Sequence, residues 1–137
     1  MSYGVNIIAK ILINESISIK HPISNLKLQK LLYYVQAAFL VETYTPAFQE
    51  PINAWRYGPV VEDVYFKYRI YADADIKKLE EIPKGTMMRQ DDFERIKKVV
   101  HSYQNYNGYD LIAKTHNEDP WRRNRPQDRY ESVIINQ

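Results

Sequence analysis

The sequence predicts a mainly α fold with a small β element, a compact helical domain assembled around one buried helix. Three observations predict it. Apolar residues recur at three- and four-residue spacing through most segments of helical length. Prolines at 22, 46, 51, 59, 83, 120 and 126 cut the chain into such segments and shorter connectors. One segment, 24–43, is apolar on nearly every side, the pattern of a helix enclosed by others.

Each element follows from its residues. From Tyr3 to Glu15, Val5, Ile8, Ile11 and Leu12 form one stripe of an amphipathic helix. After His21-Pro22, Ser24 is placed to cap a second helix that runs to Thr43. Leu28, Leu31, Leu32, Val35, Ala38 and Phe39 fill one arc of it, and Leu26, Tyr33, Ala37 and Leu40 make the opposite side apolar too. The stretch 51–59, PINAWRYGP, is too short between its prolines for a helix. Its alternation around residues 52–57 predicts a short strand ending in a Gly58-Pro59 turn. A helix from Val60 to Tyr71 carries Glu62 and Asp63 in its first turn and a stripe of Val61, Val64, Tyr65, Tyr68 and Tyr71. Residues 72–90 are charged and predict an exposed excursion. Asp91 to Tyr103 is helical through Phe93, Ile96, Val100 and Tyr103. A shorter helix after Asn107-Gly108 carries Tyr109, Ile112, Ala113 and His116, and Ser132 to Ile135 suits a brief strand.

Composition excludes several classes of function. The chain has 137 residues, 45% hydrophobic and 26% charged, which points to one soluble domain spanning 1–137. It has no long uncharged apolar run for a membrane span, and its start lacks the basic and cleavable segments of a secretory signal, so the expected location is the cytoplasm. With no cysteine there is no disulfide framework, thiol catalysis or thiolate metal site. Nineteen basic residues against 17 acidic ones give a formal charge of +2, and the two signs are interspersed. The one cationic cluster, Arg122, Arg123, Arg125 and Arg129, is diluted by Asp128 and Glu131, which weighs against nucleic acid.

No residue pattern supports catalysis. The four glycines are scattered, so no phosphate-binding loop or nucleophile elbow exists. His116 lies near Glu118 and Asp119, but the chain breaks at Pro120 before a second ligand at helical spacing arrives, and a structural histidine near a helix end explains it better. The carboxylate pairs Asp91-Asp92 and Asp73/Asp75 fit helix starts and exposed loops. We therefore assign no catalytic residue, no metal and no cofactor.

The unusual feature is the start of the central helix, LKLQKLLYYVQ, where Lys27, Gln29, Lys30 and Gln36 interrupt a helix that otherwise suits burial. A buried lysine is costly, so these heads are expected to reach water or meet a carboxylate. Lys27, Lys30 and Tyr34 share one side of the helix, a surface open to a partner.

LKLQKLLYYVQAAFL (26–40), AWRYGPVVEDVYFKY (54–68) and LIAKTHNEDPW (111–121) together resemble the Panacea domain of SocA-like antitoxins, a family that includes phage-associated proteins of the GepA type. The pattern is a KLQKLLYY-like helix, a W-x-YGPV turn into a V-Y-x-x-Y helix, and a late TH-x-x-x-PW element. The matching residues are Lys27, Leu28, Gln29, Lys30, Leu31, Tyr33, Trp55, Tyr57, Gly58, Pro59, Val60, Tyr65, Thr115, His116, Pro120 and Trp121. Family members commonly carry a further helix after the PW element, whereas here the chain stops at Gln137.

The resemblance implies an antitoxin that neutralises a cognate toxin by direct binding, or an adaptor that delivers the toxin to a protease. A DNA-binding or phage regulatory protein is the alternative that the arginine cluster motivates. A second copy of the chain is a further partner this reading allows. Within the motif, Leu28 and Leu31 are expected in the core, with Trp55 and Trp121 as core plugs. Gly58 is expected to supply backbone freedom, and Pro59 to start the following helix. Lys27, Lys30, Tyr34, Arg56 and Tyr57 are the expected partner contacts. Of the 12 tyrosines, Tyr65, Tyr68 and Tyr71 follow helical spacing and are expected to pack, while Tyr34 and Tyr57 are expected to face the toxin.

Overall fold

A computed structural model describes residues 2–116, with side chains through Lys114. The Arg122–Arg129 cluster, the strand expected at Ser132–Ile135, Glu118, Asp119, Pro120 and Trp121 lie outside the described residues, as do the side chains of Thr115 and His116.

The protein is mainly α with small β elements. The order is α1 (Val5–Ser18), β1 (Ile23–Ser24), α2 (Asn25–Thr43), β2 (Asn53–Trp55), β3 (Gly58–Val60), α3 (Glu62–Tyr68), β4 (Asp75–Ile76), α4 (Gln90–Ser102) and α5 (Gly108–His116). α1 turns Val5, Ile8, Ala9, Ile11, Leu12 and Ile13 inward. α2 begins where the Ser24 hydroxyl accepts the Lys27 amide at 3.2 Å, the expected cap, and ends where Tyr44 enters the left-handed region at φ 61°.

α2 is the central helix that its composition predicts: α1, α3, α4, α5 and β3 all pack on it. Leu28, Leu31, Leu32, Val35 and Phe39 are buried along it, and they join α1 residues, Val64 of α3 and Ile96 of α4 in one hydrophobic cluster. Arg95 of α4 fastens the far end of α2. Its guanidinium lies over the Phe39 ring, 5.4 Å from the centroid, and pairs with Glu42 at 3.0 Å and Asp92 at 2.7 Å. The Tyr3 hydroxyl donates to the other oxygen of Asp92. α1 and α4 meet again where the His101 ring and the Glu15 carboxylate lie 2.6 Å apart.

The β elements correct two expectations. The single strand expected near 52–57 is a two-stranded antiparallel hairpin that pairs Asn53 with Val60, Ala54 with Pro59 and Trp55 with Gly58. The turn therefore falls at Arg56-Tyr57, not Gly58-Pro59. Gly58 keeps its expected role, with φ at 110°, where a side chain would be strained. Pro59 lies inside β3 rather than at the start of a helix. α3 accordingly begins later than Val60, at Glu62, and its last turn tightens to a 3-10 turn over Arg69–Tyr71.

The excursion over 72–90 is exposed for most of its length, but two points anchor it. β4 pairs with β1, Ile23 opposite Ile76, and burial of Ile76 is complete. Asn14 of α1 donates to the Glu80 carbonyl at 2.9 Å and accepts the Glu80 amide at 2.8 Å, while the Tyr68 hydroxyl donates to the Glu80 carboxylate at 2.8 Å. No helix among the described residues is long and apolar enough to cross a membrane.

Candidate functional site

The start of α2 forms the floor of a cleft of about 550 Å³, walled by the β2–β3 hairpin and Tyr65 on one side and by the start of α5 on the other. α5 sits so close to α2 that a side-chain carbon at Gly108 would fall 2.8 Å from the Leu26 side chain. The residues after the 3-10 turn, Ala72, Asp73 and Asp75, complete the rim.

A polar ladder beneath the cleft ties α2 to its walls. The Asn25 amide donates to the Tyr65 carbonyl at 3.1 Å and accepts from Gln29 at 3.0 Å. Gln29 in turn accepts the Val61 amide at 2.9 Å. Lys30 donates to the Pro59 carbonyl at 3.3 Å. Thus Gln29 and Lys30 hold the passage from hairpin to α3, where a short β3 leaves backbone groups that no strand or helix satisfies.

The lysines depart from expectation. Among the described residues, Lys30 neither reaches water nor meets a carboxylate: its exposure is 0% and its one hydrogen bond goes to a main-chain carbonyl. Burial pushes its ammonium down to about 7 from an ordinary 10.5. Lys27 is also buried. Desolvation lowers its pKa, and the charges of Asp75 and Asp110 act against that shift.

The remaining expected contacts divide. Tyr34 is an interior residue, stacked on Tyr103 at 4.3 Å and edge-on to Tyr33 at 5.2 Å, so its ring does not offer the face expected for a partner. Aromatic packing between α2 and Tyr103, just after α4, explains that placement better than the neighbouring cations do. Arg56 and Tyr57 occupy the exposed hairpin turn. Trp55 is not the expected core plug but a half-buried wall of the cleft, edge-to-face with Tyr65 at 5.1 Å. Leu28 and Leu31 are fully buried, as expected.

The cleft also contains residues that sequence reasoning did not assign to a site. Asn25 sits one turn before Gln29, a spacing that brings two amides together on a helix. Asp73 and Asp75 come from the excursion, where the β1–β4 pairing sets Asp75 opposite Ser24 at the start of α2. Tyr109, expected on this shorter helix, is exposed at the rim, and Leu111 is buried there. Among the described residues, no group of three or more His, Cys, Asp or Glu is placed to hold a metal ion.

Of the motif residues with described side chains, Gln29, Lys30, Trp55, Tyr57, Val60 and Tyr65 all line this one cleft. In a comparison with protein families, the profile described as "Antitoxin SocA-like, Panacea domain" matches residues 28–122, more than half of the chain. The chain belongs to that family. A curated relative, Antitoxin SocA of Caulobacter vibrioides (strain NA1000 / CB15N), is 39% identical over 64 residues. The match covers 47% of this chain and 34% of the relative, about a third of that protein's length. No solved structure matches this Panacea-domain chain significantly.

Proposed function

We propose that this chain is an antitoxin that binds a cognate toxin directly in the cytoplasm and neutralises it, without catalysis of its own. Membership of the SocA-like Panacea family carries the reading. The geometry supports it: the described residues of the family motif build a cleft walled by aromatic side chains. Aromatic residues at a concave, partly desolvated surface are the common anchors of protein interfaces.

The test is to express the gene that neighbours this one with and without it. Growth arrest by the neighbour alone, relief by this chain, and co-purification of the two proteins are the expected results. A harmless neighbour, or arrest that persists in the presence of this chain, overturns the reading. Relief accompanied by disappearance of the toxin protein would replace steric neutralisation with delivery to a protease.

A further inference from the structure

The rim of the cleft specifies the chemistry of its occupant more closely than the family does. Trp55 and Tyr65 form one wall as an edge-to-face pair, and Tyr57 and Tyr109 stand at the mouth, 52% and 69% exposed. Asp73 and Asp75, both exposed, border the same space, and among the described residues neither forms an ion pair. Ring faces attract cations and reject anions, and two unpaired carboxylates beside them have the same preference.

The cations nearby do not cancel this preference. Lys30 is wholly sheltered and spends its hydrogen bond on Pro59. Lys27 is buried behind the rim, where it feels Asp75 and Asp110. The far end of α2 shows the same chemistry already satisfied within the chain: Arg95 lies over the Phe39 ring with the carboxylates of Asp92 and Glu42 on its guanidinium. The cleft repeats those components, an aromatic wall and two carboxylates, but among the described residues no arginine pairs with either carboxylate.

We propose that the cleft receives an arginine side chain of the partner protein, its guanidinium stacked on the aromatic wall and paired with Asp73 and Asp75. The volume of about 550 Å³ falls within the range that encloses a small ligand. A planar fork suits this site better than an ammonium because it can stack and pair at once. A phosphate backbone or an acidic segment would bring its charge against the two carboxylates.

This proposal rests on the antitoxin reading for the identity of its partner, but it can be tested without that partner. The full chain is titrated with acetyl-Gly-Arg-Gly-amide, with the citrulline peptide that keeps the shape and loses the charge, and with the glutamate peptide. The readout is the Trp55 indole resonance, assigned through Trp55→Phe. Saturable shifts with the arginine peptide, weaker by about tenfold with citrulline and absent with glutamate, are expected. The double variant Asp73→Asn/Asp75→Asn should abolish the difference between arginine and citrulline in a chain that still unfolds cooperatively, its melting temperature lowered only by loss of the Asp75 charge near Lys27. No saturable arginine binding, equal binding of citrulline, or preference for glutamate overturns the proposal. Relief of toxicity that survives the double variant overturns it as well and leaves the antitoxin reading standing. A harmless neighbour defeats only the antitoxin reading, since the peptide titration is independent of it.

Discussion

Gln29 and Gln36 lie seven residues apart on α2, and each gives its side-chain amide to a segment of chain that returns to that helix. Gln29 accepts the Val61 amide at 2.9 Å. Gln36 accepts the Ala47 amide at 2.7 Å and donates to the Phe48 carbonyl at 2.9 Å. Two positions that look like interruptions of an apolar helix are therefore the fasteners of the two chain segments that cross it.

The first prediction concerns the second of these fasteners. Gln36→Leu keeps the volume but strands the main-chain groups of Ala47 and Phe48 in a buried setting. Unfolding in urea should show a loss of about 2–4 kcal/mol. A loss below about 0.5 kcal/mol would mean that water replaces the amide.

Lys30 sets a pH dependence. With its pKa at about 7 when folded and an ordinary value of 10.5, the unfolded chain holds a proton on Lys30 between these values that the folded chain lacks. The cost of its burial is therefore greatest and constant below pH 7 and fades as pH rises to 10.5. Lys30→Met removes that cost, at most about 1.4 kcal/mol for each unit of the shift, and strands the Pro59 carbonyl at every pH, so any gain over the natural chain should be greatest at pH 6. The gain should be nearly gone at pH 10, as read from urea midpoints at both pH values. A gap that does not change with pH would contradict it.

Gly58 is held at φ 110° directly after the hairpin turn. Gly58→Ala should cost about 1–3 kcal/mol, measured by chemical denaturation, because an L side chain is strained there. The Trp55 indole signal should shift with it, since Gly58 pairs with Trp55 across the turn.

Arg95 makes two ion pairs of unequal worth. Asp92 is buried, whereas the Glu42 side chain is 50% exposed. Double-mutant cycles should give a coupling of about 1–3 kcal/mol for Arg95 with Asp92 and below about 0.5 kcal/mol for Arg95 with Glu42. Equal couplings would show that burial does not separate the two.

The helices were legible because their apolar spacing is a direct imprint of one-sided burial, and Ser24 announced α2 by its capping chemistry. Polar identity misled where it met irregular backbone. Lys30 and Gln29 read as surface residues, yet the join between β3 and α3 needs donors and an acceptor that only long polar side chains can deliver into the interior. Gly58-Pro59 read as a turn by composition, although the two-residue turn lies just before it and Gly58 absorbs the unusual φ. The β1–β4 pairing spans two residues on each side and has no periodicity to detect, so the arrival of Asp73 and Asp75 at the cleft stayed hidden.

The excursion after α3 is fixed at Ile76 and again at Glu80, and its next stretch, around Lys84 and Gly85, is exposed before Gln90 begins α4. Its two ends are thus held independently of its tip, and lengthening such a tip costs only about 0.6 kcal/mol per doubling. Gly85 tolerates positive φ and has open space around it. A fluorescent or affinity label grafted there would ride near the α4 start, leaving the cleft at the opposite end of α2 unobstructed.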